Sequence, residues 1–134
     1  MRTLATITGR FNNENQPRSW SLVGPYGSGK SSFALFLSEL LGSPNLPHTK
    51  AALTRLGSYD HLLHSQFLEE TKTSDGYVSV LVSGTPERLS LRYLNALISA
   101  VGEYWIGRRG KKPRIFSRMR ELREKGRVSI SELL

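Results

Sequence analysis

The spacing Gly24-x-x-x-x-Gly29-Lys30-Ser31 constrains this chain more than any other feature. Three glycines in six residues (Gly24, Gly27 and Gly29) allow backbone angles closed to other residues. They let successive main-chain N–H groups turn toward one point. The residues after Gly29 have the apolar spacing of a helix, so the glycine turn feeds a helix N-terminus. By composition alone the pattern arises in well under about 1% of chains this long. A glycine-rich turn that binds nothing is the competing reading.

The chain has 134 residues, enough for one domain, and 38% of them are hydrophobic, enough for a packed core. It has no cysteine, which excludes disulfides and thiolate metal sites and fits a reducing setting. No apolar run approaches the roughly 20 residues needed to span a bilayer, and the first 18 residues lack the apolar core of a secretory signal. The expected location is cytoplasmic. The net charge of +8 is uneven. Residues 1–107 carry nine Lys/Arg against eight Asp/Glu, whereas residues 108–134 carry ten against three. A localised excess points to an anionic partner.

Leu4–Thr8 alternates apolar residues with Thr and reads as a short strand. Asn12–Pro17 reads as a loop, and Ser19–Val23 as a strand ending at Gly24. Phe33, Phe36, Leu37, Leu40 and Leu41 then recur at helical spacing, predicting a helix over Ser31–Leu41 closed by Gly42-Ser43-Pro44. Pro47–Glu70 reads as two short helices broken near Gly57-Ser58. Thr71–Gly76 reads as a polar turn, and Tyr77–Val82, rich in β-branched residues, as a buried strand. Thr85-Pro86-Glu87 has the residues of a helix start. That helix is expected to run to about Ile106, with Leu89, Tyr93, Leu97, Val101 and Trp105 along one side. A charged helix follows over Arg114–Lys125. Strands alternating with helices predict an α/β fold: parallel strands flanked by helices, with a basic C-terminal helical segment. The expected division is a nucleotide-binding core over 1–107 and a basic segment over 108–134.

The glycine spacing is a full Walker A pattern. Its backbone N–H groups and the positive end of the following helix suit phosphate oxygens. Lys30 is expected to reach the β- and γ-phosphates and the Ser31 hydroxyl to ligate Mg²⁺. Ser32 is placed for the α-phosphate. The candidate nucleotide-binding residues are therefore Gly24, Pro25, Tyr26, Gly27, Ser28, Gly29, Lys30, Ser31 and Ser32, with ATP and Mg²⁺ as ligands.

Ser19–Leu41 resembles the first strand, P-loop and first helix of the P-loop NTPase superfamily. Gly-Pro-Tyr-Gly-Ser-Gly-Lys-Ser is closer to AAA-type ATPases than to small GTPases or kinases, and resembles the amino-terminal end of large bacterial ATPases, some of which defend against foreign DNA. The resemblance covers 23 residues (19–41). It implies ATP binding, and oligomerisation if the chain is part of such an ATPase. Hydrolysis in that superfamily also needs a Walker B strand ending in Asp or Asp-Glu. Tyr77–Val82 ends instead in Ser83-Gly84-Thr85, and Asp60 and Asp75 follow polar turns. The expectation is an amino-terminal portion of a longer ATPase that binds nucleotide and hydrolyses it little. A complete small protein using Glu87 as a non-standard acid is the alternative. No Asn/Thr-Lys-x-Asp motif is present, which favours adenine over guanine.

Arg108, Arg109, Lys111, Lys112, Arg114, Arg118, Arg120, Arg123, Lys125 and Arg127 make a dense basic segment. Nucleic-acid phosphates are one partner that would satisfy it. A solvated face partly paired with Glu121 and Glu124, or packing on acidic protein surface, are the others. A nucleic-acid module with a vestigial loop, and a small kinase, remain as alternative functions. Arg10 and Phe11 are candidates for the adenine's surroundings, with a surface loop as the other reading. His48, His61 and His64 do not form a metal set, and Trp20, Tyr104 and Trp105 read as core or interface residues.

Overall fold

A computed structural model describes residues 2–8, 19–84, 86, 88–106 and 110–125. Six helices follow one another: α1 (Arg2–Thr8), α2 (Lys30–Leu40), α3 (Pro47–Gly57), α4 (His61–Ser74), α5 (Leu89–Tyr104) and α6 (Arg114–Glu124). The chain divides into two compact units, Met1–Tyr77 and Val78–Leu134. The expectation of parallel strands is wrong: among the described residues there is no strand and no sheet.

In the first unit, α3 packs on both α2 and α4, and α1 packs on α4. The core joins Leu4, Leu40, Ala52, Leu53, Leu56, Leu63 and Phe67, with Phe33, Phe36, Leu37, Leu41 and Leu68 against it. Leu4 explains why the first segment is helical. As a strand it would point Leu4 and Ile7 to opposite faces; as a helix, at three-residue spacing, it buries both. The Thr8 hydroxyl lies 2.9 Å from Gln66 Oε1 on α4.

Pro47 sits in the first turn of α3, where its missing N–H costs nothing. Asp60 caps α4 by accepting from the Leu63 N–H at 3.0 Å. The expected turn at Thr71–Gly76 is mostly helix, because α4 continues to Ser74. Thr71 is fully buried and its hydroxyl donates to the Phe67 carbonyl at 2.8 Å, so the polar side chain is satisfied inside the helix. The chain then turns through Asp75 (φ 54°) and Gly76 (φ 79°). A Cβ on Gly76 would lie 2.4 Å from the backbone of Gly42 and Ser43. There Tyr77 N–H donates to the Leu41 carbonyl at 2.7 Å, tying the exit of α4 to the exit of α2.

Ser19–Val23 and Tyr77–Val82 are not strands. A strand needs a neighbour for its N–H and C=O groups, and β-branched composition alone supplies none. Trp20, Leu22 and Val23 are exposed, as are Tyr77, Val78 and Leu81.

In the second unit, α5 packs on α6. The seam is Leu94 and Ile98 against Phe116, Met119 and Leu122, with Leu97 and Val101 alongside. This corrects the expected face of α5. Leu89 and Tyr93 are exposed, because the buried stripe follows three- and four-residue steps from Leu94 rather than strict four-residue steps from Leu89. Tyr104 and Trp105 meet edge to face, their ring centroids 6.0 Å apart. The expected helix start at Thr85 and Glu87 lies outside the described residues. Pro86 forms a bend before α5 begins at Leu89.

Candidate nucleotide-phosphate site

The glycine loop ends where α2 begins. Gly29 is the N-cap of α2 at φ 80°, ψ 12°, and Gly27 has φ 77°. These are left-handed angles, which is why glycine stands at both places. Between them, Ser28 N–H donates to the Pro25 carbonyl at 3.3 Å and closes a turn. The Gly29 carbonyl accepts from Phe33 N–H at 2.8 Å and starts the helical ladder.

No side chain caps α2. The amides of Lys30, Ser31 and Ser32 fall in its first turn, where a helix offers N–H groups no internal acceptor. The Ser31 and Ser32 side chains are exposed. Lys30 folds back over the loop. Its ammonium donates to the carbonyls of Gly24 (2.8 Å) and Pro25 (2.6 Å) and to Ser28 Oγ (3.2 Å). The cation thus sits on the inside of the turn, held by neutral oxygens that an anion can replace.

The nine predicted residues Gly24–Ser32 therefore form one contiguous, largely exposed feature: a turn with two left-handed glycines, a lysine folded onto it and a helix N-terminus. Tyr26 is fully exposed. Arg10 and Phe11 lie outside the described residues, as does Glu87.

The donor set suits an anion: main-chain N–H groups, one ammonium and the hydroxyls of Ser28, Ser31 and Ser32, with no carboxylate in the loop. It offers a divalent cation less. Among the described residues no three His, Asp or Glu side chains gather as a metal-ligand set. Mg²⁺ would take Ser31 Oγ as its protein ligand from the loop and would neutralise charge on the phosphates, which with water would complete its shell.

One feature of the first unit was not singled out from the sequence. Phe36 on α2 and Arg55, Leu56 and Tyr59 from α3 and its exit line a mostly apolar hollow of about 320 Å³. Arg55 and Tyr59, four residues apart beside an apolar helix face, are the signal that could have found it.

The basic segment is helical over Arg114–Glu124, with Lys111 and Lys112 before the helix and Lys125 at its end. Arg118 Nη1 lies 3.0 Å from Glu121 Oε2, and Lys125 pairs with the other oxygen of Glu121. These two cations hold the Glu121 carboxyl below its usual range, the Lys125 hydrogen bond first and that of Arg118 next. Lys112 Nζ stands 4.9 Å from the centre of the Phe116 ring. Arg108, Arg109 and Arg127 lie outside the described residues.

Comparison with protein-family models, curated proteins and solved structures finds no match. No helix among the described residues is long and apolar enough to cross a membrane.

Proposed function

We propose that the loop Gly24–Ser32 binds the phosphates of a nucleoside triphosphate together with Mg²⁺. The supporting observation is the coincidence of a complete Walker A pattern with a local backbone suited to it: left-handed Gly27 and Gly29, an uncapped α2 and Lys30 folded onto the loop. In this reading the loop amides and the Lys30 ammonium hold the phosphate oxygens, and Ser31 reaches Mg²⁺. ATP is the favoured nucleotide, on the likeness of the loop to AAA-type ATPases and the lack of a guanine motif. The cysteine-free composition supports a cytoplasmic setting.

The function proposed is binding, with hydrolysis slow. An apolar strand ending in an acid has no counterpart among the described residues, so no carboxylate is assigned to position an attacking water.

Titration calorimetry with Mg-ATP tests the reading. The wild type is expected to bind, and Lys30→Ala to weaken binding by about ten- to a hundredfold, the worth of one hydrogen bond to a charged group. Equal binding by both proteins, or no binding by the wild type, sinks the assignment.

A further inference from the structure

The second unit contains a helix with more positive charge than its own structure uses. Helix α6 gives Phe116, Met119 and Leu122 to the seam with α5, each no more than 8% exposed. Its remaining surface carries four arginines among Ile115, Ser117, Glu121 and Glu124. Arg114, Arg118, Arg120 and Arg123 are all exposed, with Lys111 and Lys112 just before the helix and Lys125 at its end. Against these seven cations stand Glu121 and Glu124, a net of +5 over residues 111–125. Glu121 is shared by Arg118 and Lys125. Arg114, Arg120 and Arg123 make no ion pair among the described residues. Arg114 and Arg118 stand four apart and Arg120 and Arg123 three apart, spacings at which like charges repel. An external anion would relieve that repulsion.

The chemistry narrows the anion. The apolar stripe of α6 is covered by α5, so the helix has no free apolar face to lay into a bilayer. Its one aromatic residue, Phe116, is buried, so α6 itself offers no ring on which the bases of a single strand could stack. Guanidinium forks match paired phosphate oxygens. At 1.5 Å per residue α6 is about 16 Å long, a length over which duplex DNA presents roughly nine phosphate charges. The major groove of B-form DNA is wide enough to admit a helix, whereas that of A-form RNA is not.

We propose that α6 lies along the major groove of duplex DNA, with the cations on its flanks docked on the phosphates that border the groove. The contacts are electrostatic, and Arg114, Arg120 and Arg123 carry them because no ion-pair partner among the described residues competes for their charge. Arg118 and Lys125 contribute less while Glu121 holds them.

The test is fluorescence-anisotropy titration of a labelled 20-base-pair duplex with the full chain at several salt concentrations. A triple variant, Arg114→Gln with Arg120→Gln and Arg123→Gln, is expected to bind at least about tenfold more weakly, with a salt slope reduced by about three. These side chains are exposed, so the helical circular dichroism should be unchanged. Glu121→Gln frees two cations and is expected to tighten binding severalfold; Lys50→Gln, at an exposed cation of α3, is expected to leave it unchanged. Unchanged affinity in the triple variant overturns the proposal. So does equal affinity for single-stranded DNA or duplex RNA, or sedimentation with phosphatidylserine vesicles in place of DNA binding.

Discussion

Gly76 shows how much one residue can decide. Its φ of 79° is left-handed, and its α-carbon passes against the backbone of Gly42 and Ser43. Gly76→Ala adds a left-handed penalty of about 1–2 kcal/mol and a methyl group that the facing backbone cannot avoid by a side-chain rotation. A loss of at least about 2 kcal/mol is expected, read from the urea midpoint. Gly84, whose added Cβ meets nothing within 4 Å, is the control, and Gly84→Ala is expected to change stability by less than about 0.5 kcal/mol. Charge at single residues is equally testable. Glu121 is expected to titrate below its usual 4.5, and Lys125→Gln to raise its midpoint, as read by carboxyl NMR. The lowered value means that the pair's small stabilising effect is present above the unfolded pKa and is lost as pH falls through the folded one. At this scale the sequence was most informative. The left-handed angles at Gly27 and Gly29 are local demands, and they are met within the loop itself.

Helices were legible where the apolar spacing was long enough to leave one solution. The expected helix at Ser31–Leu41 is found at Lys30–Leu40, and the charged helix expected over Arg114–Lys125 at Arg114–Glu124. The break expected near Gly57-Ser58 separates α3 from α4. Strands were misread because a β-rich run reports a local preference, while a strand exists only with a partner. Leu4–Thr8 is the clearest case. Five residues cannot distinguish the two periods, and packing on α4 decides for the helix. The fourth helix starts at a side-chain cap, and Asp60 supplies it. Asp60→Ala is expected to cost about 1 kcal/mol. Urea unfolding measures it, and an unchanged midpoint would show that another group takes the Leu63 N–H.

Over the whole molecule, apolar burial and charge are distributed unevenly. One core is built from Leu4, Leu40, Ala52, Leu53, Leu56, Leu63 and Phe67, all within the first unit. The other, from Leu94, Ile98, Phe116, Met119 and Leu122, lies within the second. The first unit carries the glycine loop, and the second carries most of the positive charge. Composition revealed the charge asymmetry, but not that α6 would cover its own apolar stripe and leave its arginines outward. That depends on which face of α5 is apolar, and strict four-residue counting from Leu89 placed that face wrongly. Removing one almost fully buried side chain from each core tests the division. Phe67 is fully buried, so Phe67→Ala is expected to cost about 3–5 kcal/mol and to lower amide protection throughout α1–α4. Leu94, 1% exposed, joins the seam with α6 from the middle of α5. Leu94→Ala is expected to cost about 2–5 kcal/mol and to lower protection throughout α5 and α6. Hydrogen exchange resolved by peptide reads both. If Leu94→Ala leaves α6 protected, the α5–α6 seam does not hold that helix, and the outward placement of Arg114, Arg120 and Arg123 loses its structural basis.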